Sequence, residues 1–222
     1  MLPLIADPTP IPGWGSCPRS QGRNTAQGSG GAQRPGTAGQ ISRYMAPLVA
    51  MSDDLIPFSP DSGDAPALRR AFGRFGTGVT VVTVKTAQGP LGMTANSFAS
   101  VSLDPPLVLW SPAISSKRHD SFTSAASFCI HVLGADQEDL AQRFAGQGHD
   151  FSGFDWGEDA AGVPTFSGCL ARFHCNTYAV HPAGDHSLIL GHVQQVALRE
   201  DGAAGLMFDQ GRYGQFTPRD AD

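Results

Sequence analysis

The chain has 222 residues, 41% of them hydrophobic and 16% charged, with a formal net charge of -5. That length admits one large domain or two small ones, and the mildly acidic balance argues against nucleic acid or an anionic membrane as the main partner. No apolar run approaches the roughly 18 residues that span a bilayer, and MLPLIADPTPIPGWG at the N-terminus lacks the basic and continuously apolar regions of a secretory signal.

Residues 1 to about 50 read as a leader. CPRSQGRNTAQGSGGAQRPGTAGQ has almost nothing to bury, so it cannot offset its ordering entropy and is expected to be disordered. Met45 and Met51 follow it, and MSDDLIPFSPDSGDAP resembles an ordinary polar N-terminus, so a mis-assigned start codon is an open hypothesis. The expected division is a leader over 1–60 and a folded domain over 64–218.

ALRRAFGRF (Ala67 to Phe75) spaces Leu68, Ala71, Phe72 and Phe75 as a short amphipathic helix. Val79 to Val84 and the following PLGMT, split by the turn signal Gln88-Gly89-Pro90, predict a hairpin. LVLWSP (Leu107 to Pro112) and FCIHVL (Phe128 to Leu133) predict two further strands. Asp136 is placed to cap a helix over QEDLAQRFAG, with Leu140 and Phe144 on one face and Gly146 as its stop. CLARFHCNTYAVHP alternates, with Ala171, Phe173, Cys175, Thr177 and Ala179 on one side; the turn AGD returns it through HSLILGHVQQVAL. LMF and GRYGQF close the chain. Six or so hairpin-linked strands with few helices predict a mainly β fold, an antiparallel barrel with peripheral short helices.

The four cysteines, Cys17, Cys129, Cys169 and Cys175, form no CxxC pair. Cys169 and Cys175 read as members of one strand, roughly 20 Å apart at about 3.3 Å per residue and unable to bridge. Free thiols in a reducing cytoplasm are expected. The glycines Gly73, Gly76 and Gly78 lack dinucleotide-fingerprint spacing and do not lie between a strand and a helix. His181 and His186 would face each other across the AGD turn, but no third metal ligand lies near them in sequence, and no metal site is expected.

Two segments carry more. GMTANSFASVSLDPP displays Met93, Thr94, Asn96 and Ser97 at a strand end. This suits a flat, polar-edged ligand, and equally a barrel corner whose hydroxyls satisfy backbone groups. SPAISSKRHD follows two hydroxyls with Lys117 and Arg118, a grouping that suits a phosphate or a solvated loop.

GTGVTVVT, GMTANSFASVSLDPPLVLWSP, FCIHVL, LAQRFAG, FDW and GDHSLILGHV together, in that order, resemble the short-chain flavin reductases. These are FMN-binding split barrels that serve as reductase components of two-component flavin monooxygenases. The resemblance covers roughly Ala67 to Phe216 and implies an antiparallel split β-barrel that transfers hydride from NADH or NADPH to FMN (or FAD). It implies that Gly92, Met93, Thr94, Asn96 and Ser97 lie along the flavin ring, continued by Ser111, Pro112 and Ala113. Ser116, Lys117 and Arg118 would approach the ribityl phosphate, with Arg143 and Phe144 close by. His186 would lie beside the nicotinamide, and Phe208, Asp209, Gln210 and Tyr213 would help hold the pyridine nucleotide. A homodimer and a separate monooxygenase partner are likewise implied; His119 receives no role. The competing class is a non-enzymatic flavin-binding electron carrier or sensor on the same barrel.

Overall fold

Asp64 opens the first helix: its carboxylate accepts the Ala67 N–H at 2.9 Å and caps α1 (Ala65–Phe72), which carries Pro66 in its first turn. In the computed structural model the described residues are 55–60 and 63–217, so residues 1–54 of the expected leader lie outside them. Apolar periodicity placed this helix two or three residues late, because Asp64 and Pro66 set its start. Its expected apolar face is open, with Phe72 and Phe75 exposed.

The strands are β1 (Thr77–Gly78), β2 (Thr80–Thr86), β3 (Gly89–Ala95), β4 (Ala99–Leu103), β5 (Pro106–Trp110) and β6 (Ser127–Val132). They continue with β7 (Trp156–Glu158), β8 (Pro164–Phe166), β9 (Ala171–Ala183), β10 (His186–Leu198), β11 (Leu206–Asp209) and β12 (Arg212–Gln215). Helix α2 spans His119–Thr123 and α3 spans Glu138–Gly146. All pairings are antiparallel. One sheet runs β3-β2-β6-β9-β10-β5-β4, a second β1-β11-β12, and β7 pairs with β8. The mainly β, antiparallel expectation holds.

Strand β2 shows why the run from Val79 to Val84 is β-branched throughout. Val82 and Val84 enter a core with Met93, Trp110, Phe122, Phe128 and Ile189, whereas Val79, just before the strand, and Val81 enter a second with Leu140, Phe144, Phe151 and Phe166. Successive side chains point to opposite faces, and here both faces are covered. His131 crosses the second layer fully buried. Its Nδ1 bonds Val81 O at 2.9 Å and its Nε2 accepts the Phe166 N–H at 3.1 Å. Burial pushes this imidazole down to about 3, so it is neutral with its proton on Nδ1.

Several local expectations change. Asp136 lies inside a 3₁₀ turn (Ala135–Gln137); the α3 cap residue is Gln137, which makes no side-chain cap bond, and Asp139 accepts the Leu140 N–H. Cys169 precedes β9 rather than sharing it with Cys175, and both are free and buried. His181 does not face His186: the hairpin register pairs His186 with Ala183 and His181 with Leu188. Strand β4 escaped the periodicity reading because it is a sheet edge of small and exposed residues.

Candidate active site

Strand β3 is the first wall. Its free edge faces away from β2, and Gly92 shows which way: its N–H donates to Gly148 O at 2.8 Å while its C=O accepts from Arg118 Nη1 at 3.0 Å. Backbone groups two residues apart on a strand point the same way, so the N–H and C=O of Thr94 also face outward. Neither has a protein partner among the described residues. Gly92 must be glycine, because a Cβ there would enter the Phe144 ring.

The wall's side chains are spent on the fold. Thr94 Oγ1 donates to Ala141 O at 2.6 Å, tying β3 to α3. Ser97 Oγ accepts the Ser111 N–H at 2.9 Å and donates to Ser111 O at 3.3 Å. Met93 is core. Of the two meanings left open for these hydroxyls, satisfying the barrel corner is the one that Thr94 and Ser97 take. Asn96 differs: its Nδ2 donates to Thr77 Oγ1 at 3.2 Å and its buried Oδ1 has no partner.

Those bonds bring distant segments together. Ser97 holds Ser111, and the following Pro112 and Ala113 are also buried. Ala113 bridges to His186, Ile114 N donates to Asp185 O at 2.9 Å, and Ser187 N donates to Pro112 O at 3.1 Å. The β9–β10 hairpin turns through Gly184 at φ +66 and Asp185, which sets His186 at the start of β10 against this segment. His186 Nδ1 bonds Asp185 Oδ1 at 2.7 Å, a contact that lowers the Asp185 carboxyl below its ordinary value. Nε2 is buried and unpartnered, and in the neutral ring with Nδ1 donating it is an acceptor.

On the other side, Thr77 stands opposite Phe208, and Phe208 opposite Tyr213, so the bond from Asn96 carries the wall into the β1-β11-β12 sheet. Phe208 and Tyr213 meet edge to face at 5.2 Å, and the Tyr213 hydroxyl is buried without a partner. Burial raises the pKa of that phenol, so it stays a donor at neutral pH. Asp209 lies at the exposed end of β11, and the hairpin tip is Gln210 (φ +48) and Gly211 (φ +86), the two positive φ values a tight hairpin needs.

The segment expected at a phosphate splits into two tasks. Ser116 is half-buried and Lys117 exposed, while Arg118 points inward. Its guanidinium donates to Gly92 O, to Phe144 O at 2.8 Å and to Ala145 O at 2.8 Å, closing the end of α3 beneath the wall. Phe144 is fully buried under Gly92, and Arg143 pairs with Asp150 and lies over the Phe154 ring at 5.2 Å. Neither of these two side chains is a wall residue.

Among the described residues, four buried side-chain polar atoms lack a partner: Asn96 Oδ1, Trp110 Nε1, His186 Nε2 and Tyr213 Oη. Three of the four belong to residues singled out from sequence, on one continuous set of contacts. Unpartnered buried polar atoms are rare and costly, so their grouping makes this the candidate binding surface.

Residues 72–217 match the family model described as the flavin reductase like domain. The chain belongs to the flavin reductase-like family. Its relatives in that family include FMN reductase (NADH) SmoA of Agrobacterium fabrum, 52% identical over 160 residues, covering 72% of this chain and 91% of that one. The reductase subunit HsaB of a flavin-dependent monooxygenase from Rhodococcus jostii is 36% identical, with 70% and 80% covered. Among solved structures, the NADH:FAD oxidoreductase SgcE6 of Streptomyces globisporus, in complex with NAD and FAD fragments, superposes with a TM-score of 0.69 at 40% identity, covering 76% of this chain and all of that one. The expectation of an NAD(P)H-dependent flavin reductase on a split-barrel fold is borne out.

Within this flavin reductase the sequence reading missed Thr77, which orients Asn96, and the His119–Ser187 contact at 2.9 Å. No motif announces either. Thr77 precedes the apolar run of β2, and His119 opens a helix of only five residues.

Proposed function

We propose that this chain takes hydride from NADH, delivers it to FMN, and supplies the reduced flavin to a separate flavin-dependent monooxygenase. The observation that carries this reading is the contiguous wall, with the open backbone edge at Thr94 and unpartnered Asn96 Oδ1, His186 Nε2 and Tyr213 Oη. A flavin ring has a polar edge and apolar faces, and these groups fit such an edge beside a second aromatic ring. Bound flavin supplies the hydride acceptor; the protein supplies placement and electrostatics.

The Thr94 N–H and C=O hold the polar edge of the ring, and Gly92, Ser111, Pro112 and Ala113 line it without bulk. Backbone donors fixed in a sheet stabilise negative charge as it grows, with no reorganisation cost. Ser116 and Lys117 take the ribityl phosphate, while Arg118 and Phe144 hold the floor beneath Gly92 and Arg143 braces the Asp150 and Phe154 loop. His186 Nε2 accepts from the carboxamide of the nicotinamide and orients it for transfer. Phe208, Asp209, Gln210 and Tyr213 hold the rest of the donor. No nucleophile is needed, and the described cysteines are unsuited to act as one: burial raises Cys169 to about 11 and Cys175 to about 12.

The names of the relatives support NADH, and that of HsaB supports a monooxygenase partner. A homodimer is part of the proposal. Leu103 is 96% exposed, Leu198 70% and Phe75 69%, apolar surface that a second copy would cover. A cytoplasmic setting agrees with the free thiols of Cys129, Cys169 and Cys175; no helix among the described residues is long and apolar enough to cross a membrane.

Steady-state oxidation of NADH and NADPH with FMN, FAD and riboflavin tests the reading. NADH with FMN should give the highest kcat/KM. Flavin binding without multiple turnover would make the chain a carrier and overturn the proposal.

A further inference from the structure

Two Asp–His neighbours stand at this site, and they are built alike. In each, Nδ1 bonds the carboxylate of the adjacent aspartate: His186 to Asp185 at 2.7 Å, and His119 to Asp120 at 2.8 Å. Each Nδ1 is thus placed to donate to a carboxylate, which in the neutral imidazole leaves Nε2 as the acceptor. They differ in what Nε2 meets. That of His186 has no partner, whereas that of His119 lies 2.9 Å from Ser187 Oγ, the residue that follows His186 on β10.

We infer that His119 is a positioning residue for the hydride-donor site, acting through Ser187 on His186. This rests on the proposed role of His186. Ser187 is buried and held from two directions: its N–H by Pro112 O at 3.1 Å and its hydroxyl by His119. The strand start is thereby fixed in translation and in twist, and alternate residues of a strand project oppositely, so the set of Ser187 determines the aim of His186. His119 is itself well anchored. Its side chain is 13% exposed, and Phe122 of the same helix is buried edge to face on Trp110 at 5.1 Å. The imidazole opens α2 directly after Ser116-Lys117-Arg118, so one hydrogen bond joins the proposed phosphate turn to the proposed donor pocket. Removing it strands the Ser187 hydroxyl in a buried setting, and β10 gains freedom where near-attack geometry is most demanding.

The test uses the full chain with saturating FMN and compares His119→Ala, His119→Asn, His119→Gln and Ser187→Ala. A Gln amide reaches as far as imidazole Nε2, whereas Asn stops at the Nδ1 position. The expected result is a rise of about tenfold in KM for NADH, the scale of a modest misplacement, in the Ala and Asn variants and in Ser187→Ala. His119→Gln should recover most of it, and the Kd for FMN should not change. Nitrogen NMR of the His186 imidazole should show its Nε2 signal moved in His119→Ala and restored in His119→Gln.

An unmoved His186 signal in both His119→Ala and Ser187→Ala overturns the inference, as does an equal effect of Gln and Asn. Ser187→Ala keeps the test decisive if a His119 variant fails to fold. A moved signal with wild-type KM for NADH in both His119→Ala and His186→Ala would leave the positioning intact and overturn the donor role of His186 instead.

Discussion

The β3 wall and the β9–β10 hairpin solve opposite problems. At the wall, the side chains of Thr94 and Ser97 are consumed by the fold and the backbone edge is left open. At the hairpin, the backbone of Asp185, His186 and Ser187 is consumed by pairing with Pro112, Ala113 and Ile114, and a side-chain nitrogen is left open. A flat ring read by main chain demands small, well-braced residues. A ring read by imidazole demands that residue and its tautomer. The wall should therefore respond to changes in bracing and volume, and the hairpin to changes in chemistry.

Arg118→Ala should separate the two most sharply. It strands the carbonyls of Gly92, Phe144 and Ala145, at roughly 1–3 kcal/mol for each acceptor left unsatisfied. Denaturant unfolding should show that loss, and FMN and riboflavin should weaken together because the wall itself moves. Weakening of FMN alone would assign the guanidinium to the phosphate.

His186→Ala should act on the other side only. A fall of about a hundredfold in kcat/KM for NADH is expected from lost orientation, with the flavin titration unchanged. Stopped-flow reduction of bound flavin measures the first and fluorescence quenching the second. Lost flavin binding with normal reduction of what remains would move His186 to the wall.

Lys117→Ala sharpens the contrast within the phosphate turn. A charge-assisted contact is worth roughly 1.5–3 kcal/mol, so FMN should weaken about tenfold or more and riboflavin hardly at all. Equal losses for both would place the phosphate elsewhere.

The smallest effect concerns the layer beneath the wall. His131 is held at about 3 when folded, against an ordinary value of 6.5. The unfolded chain binds the extra proton first, so stability is full above about pH 6.5 and falls as pH drops toward 3, by about 1.4 kcal/mol per unit. Unfolding free energies from urea denaturation at pH 7.5 and 5.5 should differ by about 1.4 kcal/mol, and His131→Gln should reduce the difference. An unchanged slope in the variant would remove His131 from the acid response.

The sequence by itself determined the longer strands β2, β3, β5, β6, β9 and β10, the β2–β3 turn, the α3 stop and the family, because β-branched runs, turn residues and motif order are local or linear signals; the short strands β1, β4, β7 and β8 carry no such signal. It also placed Gly92 to Ser97, Ser111 to Ala113 and His186 at one site, through resemblance. Only the tertiary structure decided what each group does there. Arg118 and Lys117 are neighbours with equal charge, yet one is turned inward onto three carbonyls and the other is exposed. Thr94 and Asn96 are both small polar residues at a strand end, yet one spends its side chain on α3 while the other keeps a buried oxygen open. His119 and Ser187 lie 68 positions apart and meet only when the fold brings the start of α2 to the start of β10. Partner choice among hydrogen-bonding groups depends on which ones burial brings within 3 Å or so of each other, and no spacing along the chain encodes that distance.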